Sequence, residues 1–226
     1  MIDVLPRILI LEEKIQENYI KYILVPNYQK KYQLESLKCF FEKKNMNFVN
    51  LSQNKYLKFK SIIFSSNDIG FNFYNFHLLK ILKKRIFDYI RENRISSKFN
   101  FKKIYINRLD SNRKKNRYLI NENELVSKLK KRGFESITLS DYSFFEQALI
   151  FNNAKLIIGL HGAGLANILF AKKKTKIIEL TKYNWPAMYH KLSKCLDLNY
   201  RKVLCNNVKK NSNTLRCSIQ KVLSKI

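Results

Sequence analysis

The 226-residue chain contains only five glycines, three prolines and one tryptophan. So little glycine and proline excludes collagen-like and low-complexity classes. Acidic residues are also scarce: 17 Asp and Glu stand against 44 Lys and Arg, for a net charge of +27. That excess fits a polyanion partner, either nucleic acid or an anionic membrane surface. It fits a biased coding composition better, because Lys, Asn and Ile are over-used along the whole chain and no single face or tail collects the charge. No specific nucleic-acid partner is expected. The four cysteines (Cys39, Cys195, Cys205, Cys217) form no C-x-x-C pair and have no histidine at zinc-finger spacing. A structural metal is therefore not expected, and reduced thiols in a cytosol fit best. The longest apolar run, around residues 156–171, is broken by His161 and Asn167 and is too short to span a bilayer. The amino terminus carries Asp3 and Arg7 where a signal peptide would be apolar. The expected location is the cytoplasm, with peripheral attachment to the inner face of the membrane left open.

Hydrophobic content of 46% with 13% aromatics makes the chain globular, with enough length for one or two domains. Apolar spacing predicts helices over residues 2–17, 32–44 and 77–94, with Pro6 in the first turn of the first. Strands are predicted over residues 22–25, 48–51 and 61–65, a loop over 67–76, and a linker over 95–100. Beyond it, strand 103–107 precedes a polar basic loop, 108–118, and a helix over 122–132 with Asn121 as its cap. The run Lys130-Lys131-Arg132-Gly133 is a strong helix stop. Strand 136–139 follows, then a helix opened by the Ser143…Glu146 capping box. Strands 176–180 and 200–204 and helices 187–196 and 212–226 complete the chain. Strands alternating with helices argue an α/β fold whose parallel sheet is covered on both sides, with ligand at the carboxyl ends of its strands.

Three of the five glycines fall within six residues, at Gly159, Gly162 and Gly164. The stretch around them reads as a buried strand, a glycine turn and a helix. Glycine there permits positive φ and close approach of a ligand to the backbone, and the helix start offers N–H groups and a positive dipole end, which suit phosphate. The spacing G-x-x-G-x-G, with no acidic residue about 20 positions on, does not fit a dinucleotide fingerprint.

Arg108 at a strand end, Asn121-Glu122 at a helix start, Gln147 in the next helix, His161-Gly-Ala-Gly-Leu-x-Asn167 in the turn and Ile178-Glu179-Leu180 on the next strand form an ordered set over residues 103–203. In that order and spacing they resemble the family-61 glycosyltransferases, which include bacterial capsular-polysaccharide enzymes and eukaryotic xylosyl- and N-acetylglucosaminyltransferases. The resemblance implies a GT-B arrangement of two Rossmann-like lobes, with residues 101–226 holding a nucleotide-sugar donor and residues 1–100 forming an incomplete acceptor-side lobe. It also implies inverting sugar transfer to a glycan acceptor, in surface or capsular polysaccharide synthesis, without a metal or other cofactor. The chain departs from the family in two places. Lys172-Lys173-Lys174 stands where the family usually has Pro-Gly. Asp3-Val-Leu-Pro-Arg7 resembles a segment that in the family follows a long stretch of amino-terminal sheet. The expectation is an incomplete chain or one needing a partner chain, with the stripe of Leu5, Ile8 and Leu9 facing water. A remnant that binds nucleotide without transferring sugar shares every motif of the second half.

Sugar transfer from a nucleoside diphosphate needs a phosphate cradle, charge for the leaving group and a base. The backbone of Gly162, Ala163, Gly164 and Leu165 is the expected cradle; the alternative is a turn that uses glycine for packing. His161 either donates to phosphate or sugar oxygens or is a buried histidine bonded to backbone. Arg108 is expected to supply leaving-group charge as a planar fork, and Arg117 fits a second arginine of the family pattern. Glu179 is expected to accept from ribose hydroxyls, and Asn167 either touches the diphosphate or holds the turn. The resemblance places the base in the acceptor lobe, where Asp3 and Asp68 are candidates.

Overall fold

The computed structural model describes residues 4–11, 21–25, 31–41, 47–50, 56–63, 76–109, 117–208 and 214–226. They fall into two compact units, the first taking the described residues up to Ile95 together with Ser143–Phe145, the second the others.

In the first unit α1 (Leu5–Ile10) has Pro6 in its first turn, as expected; residues 12–17 of the predicted helix lie outside the described residues. β1 (Tyr22–Val25) pairs in parallel with β2 (Asn47–Asn50), and α2 (Lys31–Phe41) connects them in sequence. α3 (Phe76–Glu92) buries Leu79, Leu82, Ile86 and Ile90, a stripe at helical spacing. Both α1 and α2 pack on α3. Leu5 is thereby only 2% exposed, so the expectation that the α1 stripe faces water fails for it, while Ile8 and Leu9 are half-buried. Residues 61–63 of the strand predicted over 61–65 are exposed and belong to no strand.

The chain continues through β3 (Lys103–Ile106), β4 (Tyr118–Leu119), α4 (Glu122–Lys130), β5 (Glu135–Ile137), α5 (Phe144–Asn153), β6 (Leu156–Leu160) and a 3-10 helix, Ala163–Phe170. β7 (Lys176–Thr181), α6 (Met188–Cys195), β8 (Asn199–Leu204), β9 (Asn206–Asn207), β10 (Thr214–Arg216) and α7 (Ile219–Leu223) complete it. Five strands form one all-parallel sheet in the order β5-β3-β6-β7-β8. The α/β fold with a parallel sheet over residues 103–204 is thus as expected. β6 and β7 are nearly continuous apolar runs because a parallel sheet is buried on both faces. Tyr105, Ile158, Leu160, Ile178, Leu180 and Val203 share one face and pack with Leu125 and Leu129 of α4 and Val222 of α7. Each such side chain contributes about 1.5–3 kcal/mol by leaving water.

Sequence reasoning missed a small second sheet, β4-β10-β9, in which β10 runs parallel to β4 and antiparallel to β9. It draws β4 from the end of the predicted basic loop and β10 from the predicted terminal helix, of whose described residues only Ile219–Leu223 are α-helical. Asn121 makes no side-chain cap. Its amide instead clamps Cys217 after β10, Nδ2 donating to the carbonyl at 2.9 Å and Oδ1 accepting from the N–H at 3.2 Å. The stop after α4 holds, with Gly133 in the left-handed region at φ +76°. The lysine loop turns without glycine because Lys174 itself takes φ +63°. Its N–H donates to the Asp197 carbonyl at 2.7 Å and its ammonium to the Asp197 carboxylate at 2.6 Å.

From β3 the chain moves outward to β5 and then returns past β3 to β6, so the strand order reverses between β3 and β6. In open parallel sheets the crevice beyond the carboxyl ends at such a reversal is where ligands bind. Arg108 follows β3 and His161-Gly162 follow β6, on either side of it.

Candidate functional site

Asn107, 6% exposed, fixes how the chain leaves β3. Its backbone N–H donates to the Ile137 carbonyl at 3.0 Å, and its Oδ1 accepts from Thr138 Oγ1 at 2.9 Å and the Leu109 N–H at 3.2 Å. Between those bonds Arg108 turns toward the end of β6, and its guanidinium lies against the α-carbon of Gly162, in the space a β-carbon would fill. Gly162 has φ 164° and ψ 175°, extended backbone open to any residue. Among the described glycines only Gly133 has a left-handed φ, so the expectation of positive φ in this turn does not hold. The turn uses glycine for space. A β-carbon at Gly159 would meet Ile106 and Leu165 methyls at 3.2 Å, and one at Gly164 would meet Leu139 Cδ1 at 2.8 Å.

His161 is 3% exposed. Its N–H donates to the Leu180 carbonyl at 2.8 Å, its Nδ1 bonds Glu179 Oε1, and the Tyr200 hydroxyl donates to Glu179 Oε2 at 2.5 Å. The imidazole packs between Trp185 and Tyr189, both ring centroids 5.2 Å away. Arg117 Nη1 donates to the His161 carbonyl at 3.2 Å, and its guanidinium lies 4.5 Å from the Trp185 ring centroid. Burial, and then the like charge of Arg108, hold the Arg117 guanidinium below its ordinary value. Two arginines from separate segments thus converge on one turn. The Tyr189 hydroxyl donates to the Gly162 carbonyl at 2.6 Å, tying α6 to the same turn.

The segment after the turn is 3-10 rather than α-helical. Its first bond runs from the Leu165 N–H to the Gly162 carbonyl at 3.0 Å, leaving the N–H groups of Ala163 and Gly164 before it without an intrahelical partner. Ala163 is exposed and Gly162 and Gly164 are half-buried. The Leu165 N–H, expected in the cradle, donates to the Gly162 carbonyl, and the Leu165 side chain is 1% exposed. Asn167 holds the turn, its Nδ2 donating to Gln147 Oε1 at 2.9 Å, and Gln147 Nε2 donates to the Leu139 and Tyr142 carbonyls at 2.8 and 3.0 Å. Glu122 accepts from the Tyr105 hydroxyl at 2.8 Å, an interior bond. Glu179, expected to face a ribose, is 1% exposed with both oxygens on protein groups. Asp3 and Asp68 lie outside the described residues. Among those described, no cluster of three or more His, Cys, Asp or Glu is placed to hold a metal ion, and no helix is long and apolar enough to cross a membrane.

Arg108, Arg117, His161 and the Ala163–Gly164 backbone are therefore brought together, whereas Leu165, Asn167 and Glu179 lie behind the surface. Residues 1–178 match the family Glycosyltransferase 61. The chain belongs to glycosyltransferase family 61. Its curated relatives include the EGF domain-specific O-linked N-acetylglucosamine transferase of Drosophila melanogaster, 34% identical over 94 residues, which is 40% of this chain and 18% of that protein. The enzyme of the same description from Gallus gallus is 33% identical over 89 residues, 37% of this chain and 17% of its own length. That from Rattus norvegicus is 36% identical over 69 residues, 28% and 13% respectively. The aligned stretches thus span under a fifth of each of these relatives. Within this family-61 chain, sequence reasoning missed Tyr189, Tyr200 and Trp185. Aromatic residues at helix and strand positions read as core, and only the folded sheet sets Tyr200 on β8 beside Glu179 on β7.

Proposed function

We propose that this family-61 chain holds a nucleoside-diphosphate sugar in the crevice beyond β3 and β6 and serves the transfer of its sugar, with inversion, to a glycan acceptor. The observation that carries this reading is the convergence of Arg108 and Arg117 on the His161–Gly162 turn, just before the N–H groups of Ala163 and Gly164, at the strand-order reversal. Two like charges held beside unpartnered backbone donors favour a dianionic guest. In transfer the bond between the anomeric carbon and the diphosphate oxygen breaks, its electron pair staying with the oxygen, while the acceptor hydroxyl oxygen bonds the opposite face of that carbon. The hydroxyl proton passes to a base. The arginines and His161 meet the charge left on the diphosphate, so no metal is required. The base belongs to the acceptor side of a GT-B arrangement, with Asp3 and Asp68 as candidates, and the resemblance to capsular enzymes favours a surface polysaccharide as acceptor.

The names of the relatives make UDP-N-acetylglucosamine the first donor to test. Titration calorimetry should detect its binding without magnesium. Arg108→Ala should weaken that binding by about 1.5–3 kcal/mol, roughly ten- to a hundredfold. Equal affinities for wild type and variant would remove Arg108 from the site. Donor binding without any sugar release or transfer would favour the second reading, a nucleotide-binding remnant.

A further inference from the structure

Strand register brings together two cysteines whose spacing in the sequence gives no sign of a pair. β9 and β10 run antiparallel, with Asn207 opposite Leu215 and Asn206 opposite Arg216. The Val208 N–H donates to the Thr214 carbonyl at 3.0 Å, so the hydrogen-bonded positions of this ladder are Val208 with Thr214 and Asn206 with Arg216. One step further the same ladder sets Cys205 opposite Cys217, at a non-hydrogen-bonded position. Their backbone groups suit that position because they turn away from each other. The Cys205 N–H donates to the Thr181 carbonyl at 2.7 Å, and Cys217 exchanges bonds of 2.9 and 3.2 Å with the Asn121 amide. Residues facing each other at such a position have side chains on one face and α-carbons about 4.5 Å apart, within the roughly 4.4–6.8 Å that a disulfide spans. Cys205 and Cys217, 5% and 3% exposed, do enter one buried cluster, together with Leu215 and Val203. Both are free thiols. Burial, and then the neighbouring Cys217 sulfur, push the Cys205 thiol up to about 12, and burial pushes the Cys217 thiol up to about 11. In the folded chain the pair therefore forms little thiolate at neutral pH and exchanges slowly.

We propose that Cys205 and Cys217 are a disulfide-forming pair, closed across the strands by exchange with a small disulfide such as oxidised glutathione. One cysteine loses its proton and its sulfur attacks the oxidant, whose S–S bond breaks and whose other half leaves as a thiolate. The second cysteine loses its proton and attacks the first cysteine's sulfur in the mixed disulfide, and the remaining half leaves as a thiolate. In sum two protein thiols give up two protons and two electrons, and the oxidant is reduced to two thiols. The bond ties β10 to the end of β8. Because β10 pairs with β4, which starts directly after Arg117, it braces the strand behind one of the two converging arginines. The inference stands apart from the donor reading. To test it, one sample of the folded full chain is held in excess oxidised glutathione, and a second is refolded from denaturant in the same buffer, where the thiols are reachable before they are buried. Both are quenched in acid, alkylated with N-ethylmaleimide in denaturant and cut with trypsin, which cleaves after Lys202, Lys209, Arg216 and Lys221. Mass spectrometry should find residues 203–209 joined to residues 217–221, two hydrogens lighter than the separate peptides, with Cys39 and Cys195 alkylated. Adding reductant to the bonded chain should lower its unfolding temperature by about 5–10 °C. That drop should be missing in Cys205→Ser and Cys217→Ser, and if neither variant folds the peptide map of the wild type decides alone. Alkylation of both Cys205 and Cys217 in both samples, or a bond from either of them to Cys39 or Cys195 instead, would overturn the proposal.

Discussion

An arginine seated on an α-carbon makes the glycine beneath it part of that arginine's seat. Gly162 contributes no unusual dihedral, so Gly162→Ala should cost little stability yet displace the Arg108 guanidinium. The expected outcome is a ten- to hundredfold loss of donor affinity, about 1.5–3 kcal/mol, with the unfolding temperature nearly unchanged. Gly164 is the opposite case. Its added β-carbon would press on Cδ1 of the half-buried Leu139, so Gly164→Ala should cost about 1 kcal/mol of stability in thermal or denaturant unfolding. If both variants lost binding and stability in the same proportion, the separation of roles between these two glycines would be wrong.

At the scale of elements, α3 carries a cost that can be measured. Burial alone pushes the Lys83 ammonium down to about 8, from an ordinary value of 10.5. A folded value below the unfolded one means that stability is reduced wherever Lys83 is charged in both states, below about pH 8, and recovers as pH rises toward about 10.5. Lys83→Met should therefore stabilise the chain by about 1–3 kcal/mol at neutral pH, and the gain should vanish above about pH 10.5. A gain independent of pH would attribute it to packing. The helices and sheet strands were legible in the sequence because their burial patterns are periodic and local. β4 and β10 were not, since strands of two and three residues show no periodicity of their own and the β4–β10 pairing joins segments about a hundred positions apart. The site was half legible. Arg108, His161 and the turn announce themselves at strand ends, but the space-filling purpose of the glycines and the partners of Glu179 exist only after β3, β6, β7 and β8 align.

For the whole molecule, the net charge of +27 is the property most easily misread. Exposed cations are spread over unrelated elements: Lys128, Lys130, Lys131 and Arg132 at the end of α4, Lys172–Lys174 before β7, Arg201 and Lys202 on β8. Duplex DNA should accordingly bind weakly, without regard to sequence, and the complex should disappear steeply with added salt, because counterion release is its only source of free energy. Tight binding that survives physiological salt in a filter or anisotropy assay would restore a nucleic-acid function. Glu179 also has a consequence for how the chain finds its sheet. Ile178 and Leu180 point to one face of β7, and Ile177 and Glu179 to the other. In an almost uniformly aliphatic strand a slip of one position would be nearly silent in hydrophobic terms. Here it would turn the carboxylate away from His161 and Tyr200 and into the aliphatic cluster, leaving a buried charge without partners. The same side chain that orients an imidazole therefore marks the one alignment of β7 that the sheet can accept.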